Sequence, residues 1–208
     1  MNRHIATGAA ANRRHRGADH PPTTHTAPRW IGALGRRWPT ALALAMSAAT
    51  WDGSGSDDAV TGLGQALPLL PLLYLVVCKI RRPRASWPVL AAGLTTTVVL
   101  RILDVIAPSA LFVAIALVVL VWAGIDGQLR SSGMFQIQAL GMLCFGALAL
   151  IGLAVDPDVG RYLVAAGWLL HGVWDYVHLR LNKVVARSFA EWCGLIDILI
   201  AAQLIFLH

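Results

Sequence analysis

The sequence predicts an all-α fold, a polytopic transmembrane helical bundle of seven helices with its N-terminus in and its C-terminus out. Three observations predict it. The 208 residues are 57% hydrophobic and only 13% charged, with a mean hydropathy of +0.63, whereas a soluble domain carries about a quarter of its residues charged. The charge is also segregated, into short stretches between long apolar runs. Finally, those runs approach the roughly 20 residues a helix needs to cross a hydrocarbon core of about 30 Å. The ten-residue alternating segments of a β-barrel are absent.

Residues 1–36 stand apart as a basic tail rich in Arg, Ala, His, Thr and Pro. They have too little apolar surface to bury, and disorder is expected. His4, His15, His20 and His25 are irregularly spaced, a poor pattern for a metal-binding tail. No early apolar core with a small-residue cleavage site follows, so a secretory signal is not read here. The transmembrane domain then occupies 37–208.

The first apolar segment, Trp38 to Trp51, is short for a span, and WDGSGSDD (51–58) is a polar turn with three acids. The second span covers Ala59 to Cys78, with a kink expected at Pro68 and Pro71. KIRRPR (79–84) is a basic loop. The third span runs from Pro88 to Ile106 and contains Arg101 and Asp104, which at i, i+3 are expected to pair. A turn at Ala107–Ser109 leads to the fourth span, Ala110 to Ile125, and DGQLRSSG (126–133) to the fifth, Met134 to Val155. DPDVGR (156–161) precedes the sixth, Tyr162 to Leu179, and RLNKVVAR (180–187) the seventh, Phe189 to Leu207.

Loop charge orients these spans. With the N-terminus inside, the inner segments 1–37, 79–84, 126–133 and 180–187 carry seven, four, one and three Lys or Arg. The outer segments 51–58, 107–109 and 156–161 carry zero, zero and one. This is the positive-inside pattern, and omitting the short first span would put the basic tail outside. The net charge of +6 is thereby explained by topology and anionic head groups, and a nucleic-acid partner is rejected. Cys78, Cys144 and Cys193 are far apart and give no disulfide or zinc spacing.

Ionisable groups within a span are costly and need a reason. In the sixth helix His171, Asp175 and His178 fall at i, i+4, i+7 and share one face. In the seventh, Cys193 and Asp197 lie one turn apart, while Ser188 and Glu191 read as a capping box. His171 is eight residues before the end of its span and Asp197 eight after the start of the next, so both lie about 12 Å in from the inner boundary. The hairpin therefore converges imidazoles, carboxylates and a thiol in the inner half of the membrane.

His171, Asp175, His178 and Asp197 are candidate ligands for a divalent metal. His171, Asp175, Asp197, Gln138 and Asp104 are candidates for lining a cytoplasm-facing polar cavity that takes a small ligand or ion. Of Gln136 and Gln138, two residues apart, at most one faces such a cavity squarely. Gly141, Gly146 and Gly152 are expected at close helix contacts, and Trp168 and Trp174 in packing or at the interface. Phosphate-binding, HExxH, GxSxG and CxxCH signatures are missing, as is a Lys in the seventh helix for a retinal Schiff base.

The stretch HGVWDYVHLR (171–180) with RSFAEWCGLIDILIA (187–201) resembles the C-terminal hairpin of small bacterial polytopic membrane proteins of unknown function. That resemblance attaches no particular activity to the chain, whose composition and loop charge give a multi-pass cell-membrane location. Seven-helix membrane hydrolases related to alkaline ceramidases are similar in using His and Asp around zinc. Their last helix carries an H-x3-H pair, where this chain has Asp197 and no internal His. The expectation is transport or binding of a small ligand or ion. The alternatives are a metal-dependent membrane-embedded hydrolase and a structural or assembly protein whose His and Asp satisfy each other.

Overall fold

A computed structural model of the chain describes Gly35, residues 37–49 and residues 56–206. The tail expected over 1–36, with its four histidines, lies outside the described residues apart from Gly35, as do Trp51 and the ends of the first and last apolar runs. Among the described residues there are nine α-helices and no strand. They are α1 (Trp38–Ala49), α2 (Asp57–Ala66), α3 (Leu69–Ile80), α4 (Ser86–Leu103), α5 (Pro108–Ile125), α6 (Gln128–Ser131), α7 (Gly133–Ala154), α8 (Pro157–Leu181) and α9 (Arg187–Phe206).

The helix ends follow local chemistry. Ser56 and Ser132 accept from the backbone N–H of Ala59 and Phe135, capping α2 and α7. Pro108 and Pro157 open α5 and α8, where a missing N–H is harmless. Arg81, Asp104 and Asn182 close α3, α4 and α8 in the left-handed conformation. The kink expected at the prolines is a break between α2 and α3. Pro71 cannot donate to Leu67, whose carbonyl accepts from Leu70 at 3.2 Å instead.

Among the described residues five helical segments are long and apolar enough to cross a membrane: Asp57–Ile80, Pro83–Leu103, Pro108–Ile125, Gly133–Ala154 and Arg187–Phe206. The α1 helix, at 12 residues, is shorter than a span, and α8, at 25 residues, is long enough but carries several charges. The burial pattern is compatible with a membrane protein. Val98, Leu117, Val118, Leu140, Leu143 and Val177 are exposed, while His171, Asp175, Gln138, Asp197 and Gln203 are buried.

The α3 helix sits at the centre, against α4, α5 and α7, and α8 packs between α7 and α9. The α1 helix lies on α9, held by Gln203, whose amide donates to the Ser47 carbonyl and hydroxyl at 2.8 Å.

Two expected interactions are replaced. The α4 helix ends at Leu103, and Asp104 turns away at φ 49°, so Arg101 and Asp104 do not share a helix face. Arg101 instead grips both carboxylate oxygens of Asp58 at 2.9 Å, with Gly62 leaving room for its guanidinium. Likewise α9 already begins at Arg187, so Ser188 is not its cap. Its hydroxyl accepts from the Trp87 indole at 3.1 Å, and Glu191 accepts from Thr40 at 2.8 Å, tying α1 to α9.

Candidate functional site

Two glycines bring α8 and α9 together. A Cβ on Gly172 would stand 3.1 Å from the Gly194 carbonyl and 3.3 Å from the Asp197 Cβ. A Cβ on Gly194 would stand 3.1 Å from the Asp175 Cβ. Each glycine is thus flanked by an ionisable residue, and the bare backbone lets those side chains meet across the contact. His171 lies ten residues before the end of α8 and Asp197 ten after the start of α9. Both are therefore about 15 Å along their helices from the connecting loop.

There His171 Nδ1 stands 2.8 Å from Asp197 Oδ2 and 3.3 Å from Asp175 Oδ2. The first contact is a hydrogen bond with the ring N–H donating. The second is not aligned as one, and among the described residues Asp175 Oδ2 has no hydrogen-bond partner. Asp175 Oδ1 accepts from the Tyr74 hydroxyl of α3. The Cys193 thiol lies 3.9 Å from Asp197 Oδ1 and 4.0 Å from Oδ2. His171, Asp175, Cys193 and Asp197 are wholly buried, and each offers one ligand atom within 4.8 Å of all the others.

Charge makes this cluster unusual. Two carboxylates face one imidazole, so even a protonated His171 leaves an excess of negative charge among wholly buried groups. Such an excess is costly unless a proton or a cation neutralises it. His171 Nε2 is also buried, against the Phe145 ring, with no hydrogen-bond partner among the described residues. A tetrahedral ion bound by N, O and S at 2.0–2.3 Å spaces its ligands by about 3.3–3.8 Å. The four ligand atoms lie within 4.8 Å of one another, at most about 1.5 Å wider than that spacing.

Comparison with protein-family models, with curated proteins and with solved structures finds no match.

The geometry alone therefore carries the reading. Of the residues singled out from sequence, His171, Asp175 and Asp197 come together, and Cys193 joins them as a fourth ligand atom. His178 does not. Its Nδ1 donates to the Trp174 carbonyl at 2.9 Å, and its Nε2 accepts from the Gln138 amide at 3.0 Å. The same face of α8 carries it, but seven residues is about 10 Å of rise, beyond one coordination sphere. Gln138 is buried beside it, while Gln136 is exposed and bonds the Leu129 carbonyl. Asp104 belongs elsewhere, in a cavity shared with Asp58, Thr61, Gln65 and Arg101.

Sequence reasoning missed Tyr74. Its ring packs edge-on to both His171 and His178, with centroids at 5.6 and 4.8 Å, so it bridges the two polar layers. The available signal was a lone tyrosine inside an apolar run, because a buried phenol needs an acceptor. Gly172 and Gly194 were missed as well, although each adjoins a site residue in sequence. Gly141 and Gly152 do pack closely as expected, against Trp174 and against the Gly160 backbone.

Proposed function

We propose that this is a seven-helix cell-membrane protein, N-terminus in and C-terminus out, that binds a divalent transition-metal ion at His171, Asp175, Cys193 and Asp197. The ion is its cargo or ligand, reached from the cytoplasmic side. The observation that carries the reading is the charge mismatch: two carboxylates and a thiol gathered within 4.8 Å around one imidazole, all wholly buried. Mixed imidazole, carboxylate and thiol donors suit zinc, cobalt or iron, whereas magnesium and calcium take oxygen ligands.

Four protein donors complete a tetrahedron and leave no vacant position for an attacking water, which favours binding or transport over hydrolysis. The asymmetric loop charge supports the orientation. The α8 helix is compatible with a crossing despite its polarity, because Arg161, His171, Asp175 and His178 turn inward while Leu169, Leu170, Val173 and Val177 face out. The Gln138–His178 pair, nearer the basic loops, gives the site a polar approach from that side.

Metal analysis of the purified full chain tests this. About one equivalent of zinc or iron per chain is expected, and His171→Ala should lose it. A metal-free protein in both cases, after purification without chelators, overturns the reading.

A further inference from the structure

The three basic loops meet at a second cavity, of about 420 Å³, within the size range of small-molecule sites. Arg81 comes from the segment after α3 and Lys183 from the segment after α8, while Gln128 and Ser132 come from the α5–α7 connection. The floor is apolar, from Val77 and Met134. Among the described residues no acidic side chain lines this cavity, and neither Arg81 nor Lys183 makes an ion pair or hydrogen bond through its side chain. Lys79, two residues before Arg81, is engaged: it bonds Asp126 at 2.5 Å and lies over the Trp122 ring at 4.4 Å. The cavity is thus a net cationic site with its charges unspent.

Two further features shape the cavity. Gln128 is 8% exposed and lines it, and among the described residues its side-chain amide makes no hydrogen bond. That amide is available as a neutral donor to a bound molecule. Beside Lys183, Val184 also lines the cavity at φ 72°, a left-handed conformation that a β-branched residue adopts only under strain. The backbone is held there against its preference, which fixes where the Lys183 side chain starts.

We propose that this cavity binds the phosphate group of an anionic amphiphile. Arg81 and Lys183 supply charge, the Gln128 amide a neutral donor, and Val77 and Met134 the contact for the first carbons of the tail. Two cations and a neutral donor match a phosphate, whose oxygens accept several charge-assisted hydrogen bonds. An apolar floor next to them matches a molecule that is half lipid. None of these residues belongs to the His171 cluster, so the site stands whether or not that cluster holds a metal.

Cys78 lines the same cavity and is partly exposed, so its alkylation by a maleimide reports occupancy; Cys144, on the outer face, is the internal control. The full chain in neutral detergent is incubated with short-chain phosphatidylglycerol, with phosphatidylcholine of equal chain length, or with inorganic phosphate. Phosphatidylglycerol is expected to slow Cys78 alkylation and leave Cys144 unchanged, with phosphatidylcholine much weaker. In Arg81→Asn/Lys183→Gln the concentration for half protection should rise on the order of a hundredfold. Asn keeps the left-handed backbone at position 81, and Lys183→Gln alone, with a smaller loss, serves if the double variant does not fold. Protection by inorganic phosphate as strong as by phosphatidylglycerol identifies a small phosphate compound as the source. Equal alkylation with and without all three probes, or protection unchanged by the charge removals, overturns the proposal.

Discussion

Gly172 of α8 and Gly194 of α9 face each other so closely that a methyl group on either would meet the other's backbone carbonyl, at 3.1 and 3.4 Å. The His171–Asp197 contact depends on that approach. Gly172→Ala is expected to destabilise the bundle by about 1–3 kcal/mol through overpacking. Gly194→Leu should separate the helices and abolish metal retention, with thermal unfolding in detergent and metal content as the readouts. Unchanged stability in both would show that the glycines do not set the spacing.

Tyr74 donates its hydroxyl to Asp175 Oδ1 in the buried interior. Tyr74→Phe keeps the ring and removes only that bond, leaving a buried carboxylate oxygen unsatisfied at a cost of about 1–3 kcal/mol. Denaturation of the variant measures the loss. A change below a few tenths would mean that Asp175 has another partner.

Arg101 Nη2 donates to both carboxylate oxygens of Asp58, but with 36% and 85% of their side chains exposed the pair contributes little. Asp58→Asn should cost no more than about 1 kcal/mol. Gly62→Ala should cost a similarly small amount, since the Cβ displaces only the mobile end of the Arg101 side chain and with it the same surface pair. A loss of several kcal/mol for either variant in unfolding experiments contradicts the packing described.

Much of the bundle was legible in the sequence because lipid imposes a coarse rule. Apolar runs from Ala59 onward became helices, and prolines and glycine-containing turns ended them within a few residues. The α4 boundary was misread because Asp104 and the turn to Pro108 stop the helix three residues before the apolar run ends. Within the site, His171, Asp175 and Asp197 were legible because helical periodicity and matched depth constrain a hairpin. Tyr74 was not, because its relation to Asp175 spans 101 residues and depends on α3 being central. The Arg101–Asp58 pair was hidden for the same reason, since a local i, i+3 partner looks sufficient until the backbone turns.

The orientation is open to direct test. A periplasmically active reporter fused after His208 should be active, and the same reporter inserted at Arg130 silent. Gln203→Leu removes the donor that holds Ser47 of α1. It should leave both signals unchanged while lowering stability by about 1 kcal/mol. An active reporter at Arg130 contradicts the seven-crossing arrangement.

The most direct measurement of the central claim is cobalt(II) substitution of the purified chain, followed by optical absorption. The wild type should take up cobalt in about a 1:1 ratio, with the intense d–d bands of a tetrahedral ion and a thiolate-to-cobalt charge-transfer band. Cys193→Ser should remove the charge-transfer band alone, while His171→Ala and Asp197→Asn should remove binding. A wild-type spectrum indistinguishable from free cobalt, or one that survives all three substitutions, would contradict a metal site at the α8–α9 contact.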